Sequence, residues 1–228
     1  MQKGQIYTSL SKLPAAREAF NAGTKACPQS TPLWLLLARL DESTGALVRA
    51  RSTLDRARLA IPKNPQLWTE SVRIELRANN TAQAKILMAK ALQECPHSGL
   101  LWAENIMRLE TRTHRRPRLV EAIEKVGNDA NLYVAVARNF WAERKLPKAL
   151  SWFEKAILVD PDCGDTWAWY WRFLEQHGTD DKRGDVLTKL ESSEPRHGEY
   201  WQKISALDRK STRLNSSHKD TSRMPSSA

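Results

Sequence analysis

The sequence predicts an all-α fold, a right-handed superhelical solenoid built from antiparallel helix pairs. Three observations predict it: aromatic residues recur at a nearly constant spacing, a helix breaker precedes each of them, and a fixed set of small and large apolar residues precedes each breaker. The composition agrees, because 9 Gly in 228 residues is few for a chain rich in strands and turns, whereas 9 Trp outnumber the 4 Phe and 4 Tyr.

The aromatic residues set the period of the repeat. Their successive intervals are 34, 34, 31, 34 and 34 residues. The six positions are Trp34, Trp68, Trp102, Tyr133, Trp167 and Trp201. A period of this length is typical of solenoids in which each unit is one helix pair that buries its apolar faces by stacking on its neighbours. The aromatic residue belongs to the first helix of each pair.

The helix breakers mark the end of the second helix of the preceding pair. Each breaker stands six residues before an aromatic residue of the series. They are Pro28, Pro62, Pro96, Gly127, Pro161 and Pro195. Proline cannot continue a helix interior, and glycine commonly follows a helix end, so the chain turns at each of these positions.

The second helices carry a small, large, small stripe. A large apolar residue stands eight positions before each breaker: Phe20, Leu54, Met88, Leu119, Phe153 and Leu187. Alanine occupies most positions twelve and five before the breaker, with Arg115 and Arg183, and Gly23 and Leu190, as departures. Residues spaced by four and then three lie on one helical face. Each second helix therefore lets a neighbouring helix approach closely.

These signals place twelve helical segments within the repeats. First helices are predicted near 31–43, 65–79, 99–111, 130–142, 165–177 and 199–209, and second helices near 14–26, 46–60, 81–94, 117–126, 147–159 and 182–193. Projecting the period backwards places Tyr7 late in a first helix whose aromatic residue would precede Met1. The first repeat is therefore expected to be truncated, as in a fragment, an isoform or a partial gene product.

The order of aromatic residue, Ala, large apolar residue, Ala and Pro resembles the tetratricopeptide (TPR) repeat. It departs from that repeat because the Gly expected four residues after the aromatic residue is absent from all six units, while acidic residues such as Asp41, Glu75 and Glu110 end several first helices. Trp167, with the Tyr, Phe and Glu at 170, 173 and 175, resembles the half-a-TPR (HAT) variant, found mainly in RNA-processing proteins.

Three longer segments, 3–7, 13–19 and 151–156, together with 165–170, are similar to the C-terminal HAT region of the pre-mRNA-processing factor six family. The resemblance covers about residues 1–209. It implies a non-catalytic scaffold of pre-mRNA splicing in the nucleus, with partners among the proteins of the spliceosomal tri-snRNP. An snRNA backbone is a further candidate partner, on the grounds of the basic residues described below. Family members carry many more repeats and a distinct N-terminal region, so functions located there are not transferred.

The last segment of the chain leaves the repeat phase. Residues 210–228 are rich in Ser, hold only two large apolar residues, and are expected to be disordered. They resemble translated cloning or sequencing-adapter sequence and are then not native; the alternative is a divergent natural terminus. A transcript read across Asp208 decides between the two.

Composition and motifs exclude several function classes. No run of 18 apolar residues suggests a membrane span, and the N-terminus has no secretory apolar region. The three Cys residues lie far apart, which fits a reducing compartment and argues against zinc and disulfides. Phosphate loops, nucleophile elbows and paired metal ligands are absent. We therefore expect no catalytic residue, cofactor, metal or small-molecule substrate, and no membrane partner.

The net charge of +10 suits either acidic proteins or nucleic acid as partners. The densest basic segment holds four candidate contact residues, Arg112, Arg115, Arg116 and Arg118. Guanidinium groups there can bind RNA phosphates or an acidic protein surface, and the alternative is a solvated turn. The second candidate function is accordingly a direct RNA-binding helical-repeat module of another RNA-processing complex.

Four tryptophans fall outside the repeat phase: Trp141, Trp152, Trp169 and Trp171. Most of them are expected to fill contacts between repeats. Trp169 and Trp171 are the candidate partner contacts among them, because Trp and Arg dominate the energetically important positions of protein interfaces.

Overall fold

The computed structural model describes residues 1–193 together with 195 and 198. Twelve α-helices and one π-helical turn lie within this part of the chain, and it contains no strand. The helices are α1 (Gln2–Ser9), α2 (Leu13–Ala26), α3 (Thr31–Ser43), α4 (Leu47–Ala60), α5 (Pro65–Arg77), α6 (Thr81–Glu94), α7 (Gly99–Glu104), α8 (Arg112–Val126), α9 (Ala130–Ala142), α10 (Leu146–Val159), α11 (Gly164–His177) and α12 (Asp180–Ser193). The π-helical turn, Asn105–Leu109, follows α7 directly. None of the described helices is long and apolar enough to cross a membrane.

The helices form two compact units, Met1–Gly127 and a second that begins at Asn128. Within each unit, odd-numbered first helices pack against the even-numbered second helices that follow them. First helices also contact each other, α3 with α5 and α5 with α7 in unit 1, and α9 with α11 in unit 2. The predicted all-α repeat of helix pairs is confirmed. The predicted first helix at 199–209 and the tail at 210–228 lie outside the described residues.

The in-phase tryptophans explain why the helix breaker stands six residues before them. The indole N–H groups of Trp34 and Trp102 donate to the carbonyl oxygens of Pro28 and Pro96, each at 2.8 Å. Trp167 makes the same 2.8 Å bond to the carbonyl of Pro161 in unit 2. All three indoles are buried. The indole therefore fills the core and also ties down the turn that precedes its own helix, which phenylalanine could not do.

The other aromatic positions use variants of this arrangement. The Tyr133 hydroxyl donates to Asn128 Oδ1 at 2.5 Å, so a local polar bond is kept where glycine replaces proline. Trp68 is half-buried, and the Arg58 guanidinium carbon lies 4.2 Å from its ring centroid. Trp201 lies outside the described residues.

The predicted stripe of the second helices forms the core. Leu54 and Met88 are 1% exposed and Phe153 is fully buried, and the alanines on either side of each of them are fully buried as well. Complete burial of both alanines means that neighbouring helices lie directly against their methyl groups. A larger side chain at these positions would require the helices to separate.

The turns between first and second helices also repeat. Ser11, Gly45, Asn79 and Arg144 share one position of the repeat, and all four have φ between 57° and 75°. The residue after each donates its N–H to a carbonyl five residues back, at 2.8 to 2.9 Å. A left-handed residue that closes a helix in this way satisfies its last carbonyls and reverses the chain. At Ser11, Asn79 and Arg144 the left-handed backbone destabilises the fold by about 1 kcal/mol each relative to glycine.

One repeat departs from this plan and corrects the predicted helix boundaries. The first helix predicted over 99–111 changes to π-helical hydrogen bonding at Asn105 and ends at Leu109. The second helix predicted from 117 begins at Arg112, because Thr111 is extended and its carbonyl accepts the Arg115 N–H at 3.2 Å. Pro117 therefore lies inside α8 instead of in its first turn. The prediction failed because it assigned the proline to the usual place for proline in a helix.

Candidate interaction surfaces

The first helices of unit 1 are joined by a series of ion pairs that repeats with the aromatic residues. Arg39, five residues after Trp34, donates to Glu70, two residues after Trp68, at 2.8 Å. One repeat later, Arg73 donates to Glu104 at 2.8 Å. Each arginine thus pairs with a carboxylate of the next first helix. Both carboxylates are largely buried, whereas the arginine side chains are 37% and 22% exposed.

Glu70, in the middle of this series, pairs with two arginines. It accepts hydrogen bonds from Arg39 at 2.8 Å and from Arg77 at 2.7 Å, and Arg77 also reaches Glu42 at 2.6 Å. Burial by itself would raise the pKa of Glu70, but the two guanidinium groups outweigh burial and hold its pKa below the ordinary value. Glu70 is therefore ionised at neutral pH, and its function here is to fix the positions of two arginines.

A second series joins each second helix to the next first helix. Arg17 donates to Asp41 at 2.8 Å, and one repeat later Arg51 donates to both carboxylate oxygens of Glu75, at 2.6 and 2.8 Å. Asp41 and Glu75 are 1% and 3% exposed. The pairing with Glu75 raises the pKa of Arg51. Acidic residues at the ends of first helices thus serve as buried connections between repeats.

Sequence reasoning missed both series. The repeat pattern marks the acidic residues as a departure from the TPR repeat but does not by itself pair them with arginines. The available signal was the phase: Arg39 and Arg73 are 34 residues apart, and so are Glu70 and Glu104. Opposite charges that keep one period in a solenoid are candidates for contact between neighbouring repeats.

The predicted basic segment lies entirely within α8, and two of its arginines serve the local fold. Arg115 donates to the carbonyl oxygens of Met107 at 2.9 Å and Glu110 at 3.3 Å, groups released by the π-helical turn. Arg118 bonds Glu121 at 2.7 Å. These two side chains, together with Glu110, Glu121 and the neighbouring carbonyls, stabilise the irregular turn. An open depression of about 420 Å³ beside it is lined by Glu110, His114, Pro117, Arg118 and Glu121.

Arg112 and Arg116 are exposed and, unlike the equally exposed Arg118, make no ion pair with any residue that the structure describes. Both lie in the first two turns of α8, and the first turn contains no acidic residue. Positive charge at the N-terminal end of a helix is unfavourable because the helix dipole is positive there. The fold gains nothing visible from these two side chains, so they remain candidate contact residues.

Trp169 and Trp171 are half-buried against the core of unit 2. The Arg138 guanidinium carbon lies 3.8 Å from the Trp169 ring centroid, and that of Arg172 lies 5.6 Å away. Trp169 occupies the repeat position of Glu70 and Glu104, and Arg138 occupies that of the arginines that pair with them. The Trp171 indole donates to Glu175 at 3.0 Å. A role for either indole in partner binding stays a prediction.

The other out-of-phase indoles contribute to the aromatic core of unit 2. Trp141 packs edge-on against Phe153 and Phe173 and donates to His177 Nε2 at 2.9 Å. Trp152 packs edge-on against Tyr133, with ring centroids 5.1 Å apart.

Among the described residues, no group of three or more His, Cys, Asp or Glu side chains could hold a metal ion, and all three cysteines are free.

Comparison with known proteins identifies relatives along nearly the whole chain. The family described as "PRP6, TPR-like domain" matches residues 1–216. Pre-mRNA-splicing factor prp1 of Schizosaccharomyces pombe is 46% identical over 204 residues, 90% of this chain and 22% of that protein. Human pre-mRNA-processing factor 6 is 51% identical over 94 residues, 41% of this chain and 10% of that protein. The chain spans less than a quarter of the length of these curated relatives.

A solved structure of a thermophilic TPR protein from Thermus thermophilus is similar in fold. The TM-score is 0.50 at 19% identity, and the match covers 75% of this chain and 95% of that one. At this identity the likeness concerns the helical-repeat fold alone.

Proposed function

Because this chain belongs to the PRP6 TPR-like family, we propose that it is a non-catalytic scaffold of pre-mRNA splicing that holds protein partners in the nucleus. The partners are proteins of the spliceosome, and within it those of the tri-snRNP, whose snRNPs the repeats bridge. The relatives named as splicing factors are several times longer, so the chain contributes one segment of such a scaffold.

One observation supports a scaffold above other functions. Among the described residues, the ion pairs that recur with the repeat period join neighbouring repeats, as Arg39 does with Glu70 and Arg51 with Glu75. These ion pairs fix the spacing between helix pairs and do not line a closed pocket. A repeat array braced in this manner offers extended surfaces, which is how solenoids bind partners.

The proposal is tested by adding the tagged chain to nuclear extract and separating complexes by density-gradient sedimentation. We expect the chain to sediment with the tri-snRNP and to crosslink to its proteins. A chain in which Asp41 and Glu75 are both replaced by Ala loses the ion pairs that join each second helix to the next first helix, and it should lose this association. Sedimentation only as free protein, at concentrations where the chain is folded, would exclude the proposed function.

The alternative function, direct RNA binding, is favoured by the exposed Arg112 and Arg116. It predicts an RNA affinity that falls steeply with salt, with a slope that counts the phosphates contacted. It also predicts crosslinks to snRNA instead of protein. Replacing both arginines by Glu would then abolish the RNA crosslinks, whereas a protein scaffold would keep its protein crosslinks through other surfaces.

A further inference from the structure

Charge in unit 1 is sorted between the two kinds of helix. The second helices α2, α4, α6 and α8 carry thirteen Lys and Arg residues against five Asp and Glu. The first helices α3, α5 and α7, with the π-helical turn, carry four basic residues against five acidic ones. In unit 2 the second helices α10 and α12 carry five of each. The positive charge of the chain is therefore concentrated on the second helices of unit 1.

One repeat position shows how part of this charge is left over. The residue eleven positions before the helix breaker is basic in four successive second helices: Arg17, Arg51, Lys85 and Arg116. The first two are neutralised by Asp41 and Glu75. The positions that correspond to those two carboxylates in the next repeats hold Leu109 and Phe140. Lys85 and Arg116 are thus basic like Arg17 and Arg51, but an apolar residue stands at the repeat position of the carboxylate that would pair with each of them.

Both α6 and α8 pack against α7 and the π-helical turn, and each carries exposed basic and aliphatic side chains near its cation. We define the α6–α8 face by the exposed residues Lys85, Ile86, Lys90, Arg112, Arg116 and Val120; the exposed carboxylates Glu94 and Glu124 lie one turn beyond Lys90 and Val120 and mark its end. Ile86 and Val120 are 51% and 54% exposed. Lys90 lies one turn from Ile86, and Val120 lies one turn from Arg116, so each aliphatic side chain stands beside a cation.

The mixture of groups decides which partner fits. Proteins that bind single-stranded RNA present several aromatic side chains on which successive bases stack, whereas α6 and α8 contain no Phe, Tyr or Trp and offer a single imidazole, His114. Exposed isoleucine and valine gain nothing from a phosphate backbone. They are buried favourably by aliphatic side chains, while the neighbouring cations attract carboxylates.

We infer that the α6–α8 face binds an acidic, amphipathic polypeptide segment of a partner protein. Carboxylates of the segment pair with Lys85, Arg112 and Arg116, and its aliphatic side chains cover Ile86 and Val120. The inference rests on the proposed scaffold function and names the chemistry of one partner. The surface belongs to the second helices α6 and α8, and the ion pairs between first helices, Arg39 with Glu70 and Arg73 with Glu104, are not part of it.

The test uses the full chain and fluorescent peptides of about 20 residues, roughly 30 Å long as a helix. The Glu/Leu peptide has Leu at i, i+3, i+4 and i+7 positions and Glu elsewhere, and the Glu/Ser peptide replaces each Leu by Ser. At about 0.15 M salt we expect the Glu/Leu peptide to bind about tenfold more tightly than the Glu/Ser peptide. Equal affinities would overturn the inference, because the aliphatic residues would then take no part.

Variants locate the binding. Lys85→Glu with Arg116→Glu should weaken Glu/Leu peptide binding at least tenfold, which corresponds to about 1.4 kcal/mol. The matched control is Lys182→Glu with Lys189→Glu on exposed positions of α12, which changes the net charge equally and should leave the affinity within about twofold. An equal loss in both variants would overturn the inference, because any positive charge would then serve.

Two further measurements keep the result interpretable. Lys85→Gln with Arg116→Gln should weaken Glu/Leu peptide binding about threefold and leave the thermal midpoint measured by circular dichroism the same. If this folded variant binds the peptide as tightly as the unmodified chain, the inference that the α6–α8 face binds it is overturned. A labelled oligouridylate and an RNA hairpin test the nucleic-acid alternative: tighter binding of either than of the Glu/Leu peptide would overturn the inference. Because these assays use purified components, peptide binding and tri-snRNP association can fail independently.

Discussion

Replacing Trp102 by Phe separates the two functions of the in-phase indole, core filling and the bond to the preceding turn. The substitution keeps an aromatic ring in the buried site but removes the N–H that donates to the Pro96 carbonyl at 2.8 Å. A matched control exists at Trp68, which occupies the same repeat position but is half-buried and makes its ring contact with the Arg58 guanidinium.

The expected cost follows from the contacts of each site. Loss of the indole hydrogen bond contributes about 0.5 to 1.5 kcal/mol, at the low end of what an unpaired buried acceptor would cost, because Pro96 itself is exposed and water can reach it. The smaller ring adds roughly 1 kcal/mol of lost packing in the buried site. We expect Trp102→Phe to lower the unfolding free energy by about 1.5 to 2.5 kcal/mol, and Trp68→Phe by about 0.5 to 1 kcal/mol.

Thermal unfolding followed by circular dichroism measures the difference. For a chain of this length, 1 kcal/mol shifts the midpoint by about 2 to 4 °C, so a difference of about 0.5 to 2 kcal/mol should make Trp102→Phe melt about 1 to 8 °C below Trp68→Phe. Trp102→Ala, which also leaves a cavity, should cost about 3 to 5 kcal/mol. Equal midpoints for the two Phe variants would refute the reasoning, because they would show that the bond to the proline carbonyl contributes nothing to stability.

Three other substitutions test the electrostatics and the irregular repeat. Glu70→Gln should lower the unfolding free energy by about 1 to 3 kcal/mol at pH 7, and the more exposed Glu42→Gln by less than about 1 kcal/mol. The folded pKa of Glu70 is lowered, so its stabilisation is complete above about pH 4.3 and is lost as the pH falls through the folded value. In urea unfolding, the unfolding free energy of Glu70→Gln should therefore fall less between neutral and acid pH than that of the unmodified chain. Burial, with the nearby Glu154 carboxylate, raises the pKa of Tyr170 to about 12; stability should therefore fall as the pH rises from about 10, the unfolded value, towards 12, and Tyr170→Phe should reduce that fall in alkaline melts. Arg115→Ala should cost about 1 to 2 kcal/mol through the freed carbonyls of the π-helical turn, whereas Arg116→Ala should stay within about 0.5 kcal/mol; equal melts for the two would show that Arg115 does not stabilise that turn.

Much of the fold was predictable because its signals are local. The alanines around Leu54 and Phe153 predict a close helix contact from their spacing alone, and both sites are fully packed. The proline breakers predicted nearly all helix ends within a few residues. The exception was the repeat around Trp102, where the chain uses a π-helical turn and places Pro117 inside a helix. No local rule favours that choice over an ordinary helix with proline in its first turn.

The candidate surfaces were less predictable. Arg112, Arg115, Arg116 and Arg118 form one basic segment in the sequence, yet Arg115 and Arg118 bond to groups of the irregular turn and of α8, while Arg112 and Arg116 make no ion pair with a described residue. Similarly, Trp169 was singled out only because it is out of phase. Its environment shows that it replaces a glutamate in the series of contacts between first helices, opposite Arg138.

The sequence by itself determined the period, the helix pairs and the residues that face the core, because these follow from spacing within a single helix and from residues that cannot continue one. The repeat phase makes opposite charges candidates for pairing, and the tertiary structure decided which of them are neutralised and which are left over. Arg51 and Lys85 occupy the same repeat position, and only the stacking of repeats brings Glu75 within 2.6 Å of Arg51, whereas Lys85 makes no ion pair among the described residues. Coulomb interaction depends on distances across repeats, and those distances exist only once the helices have packed.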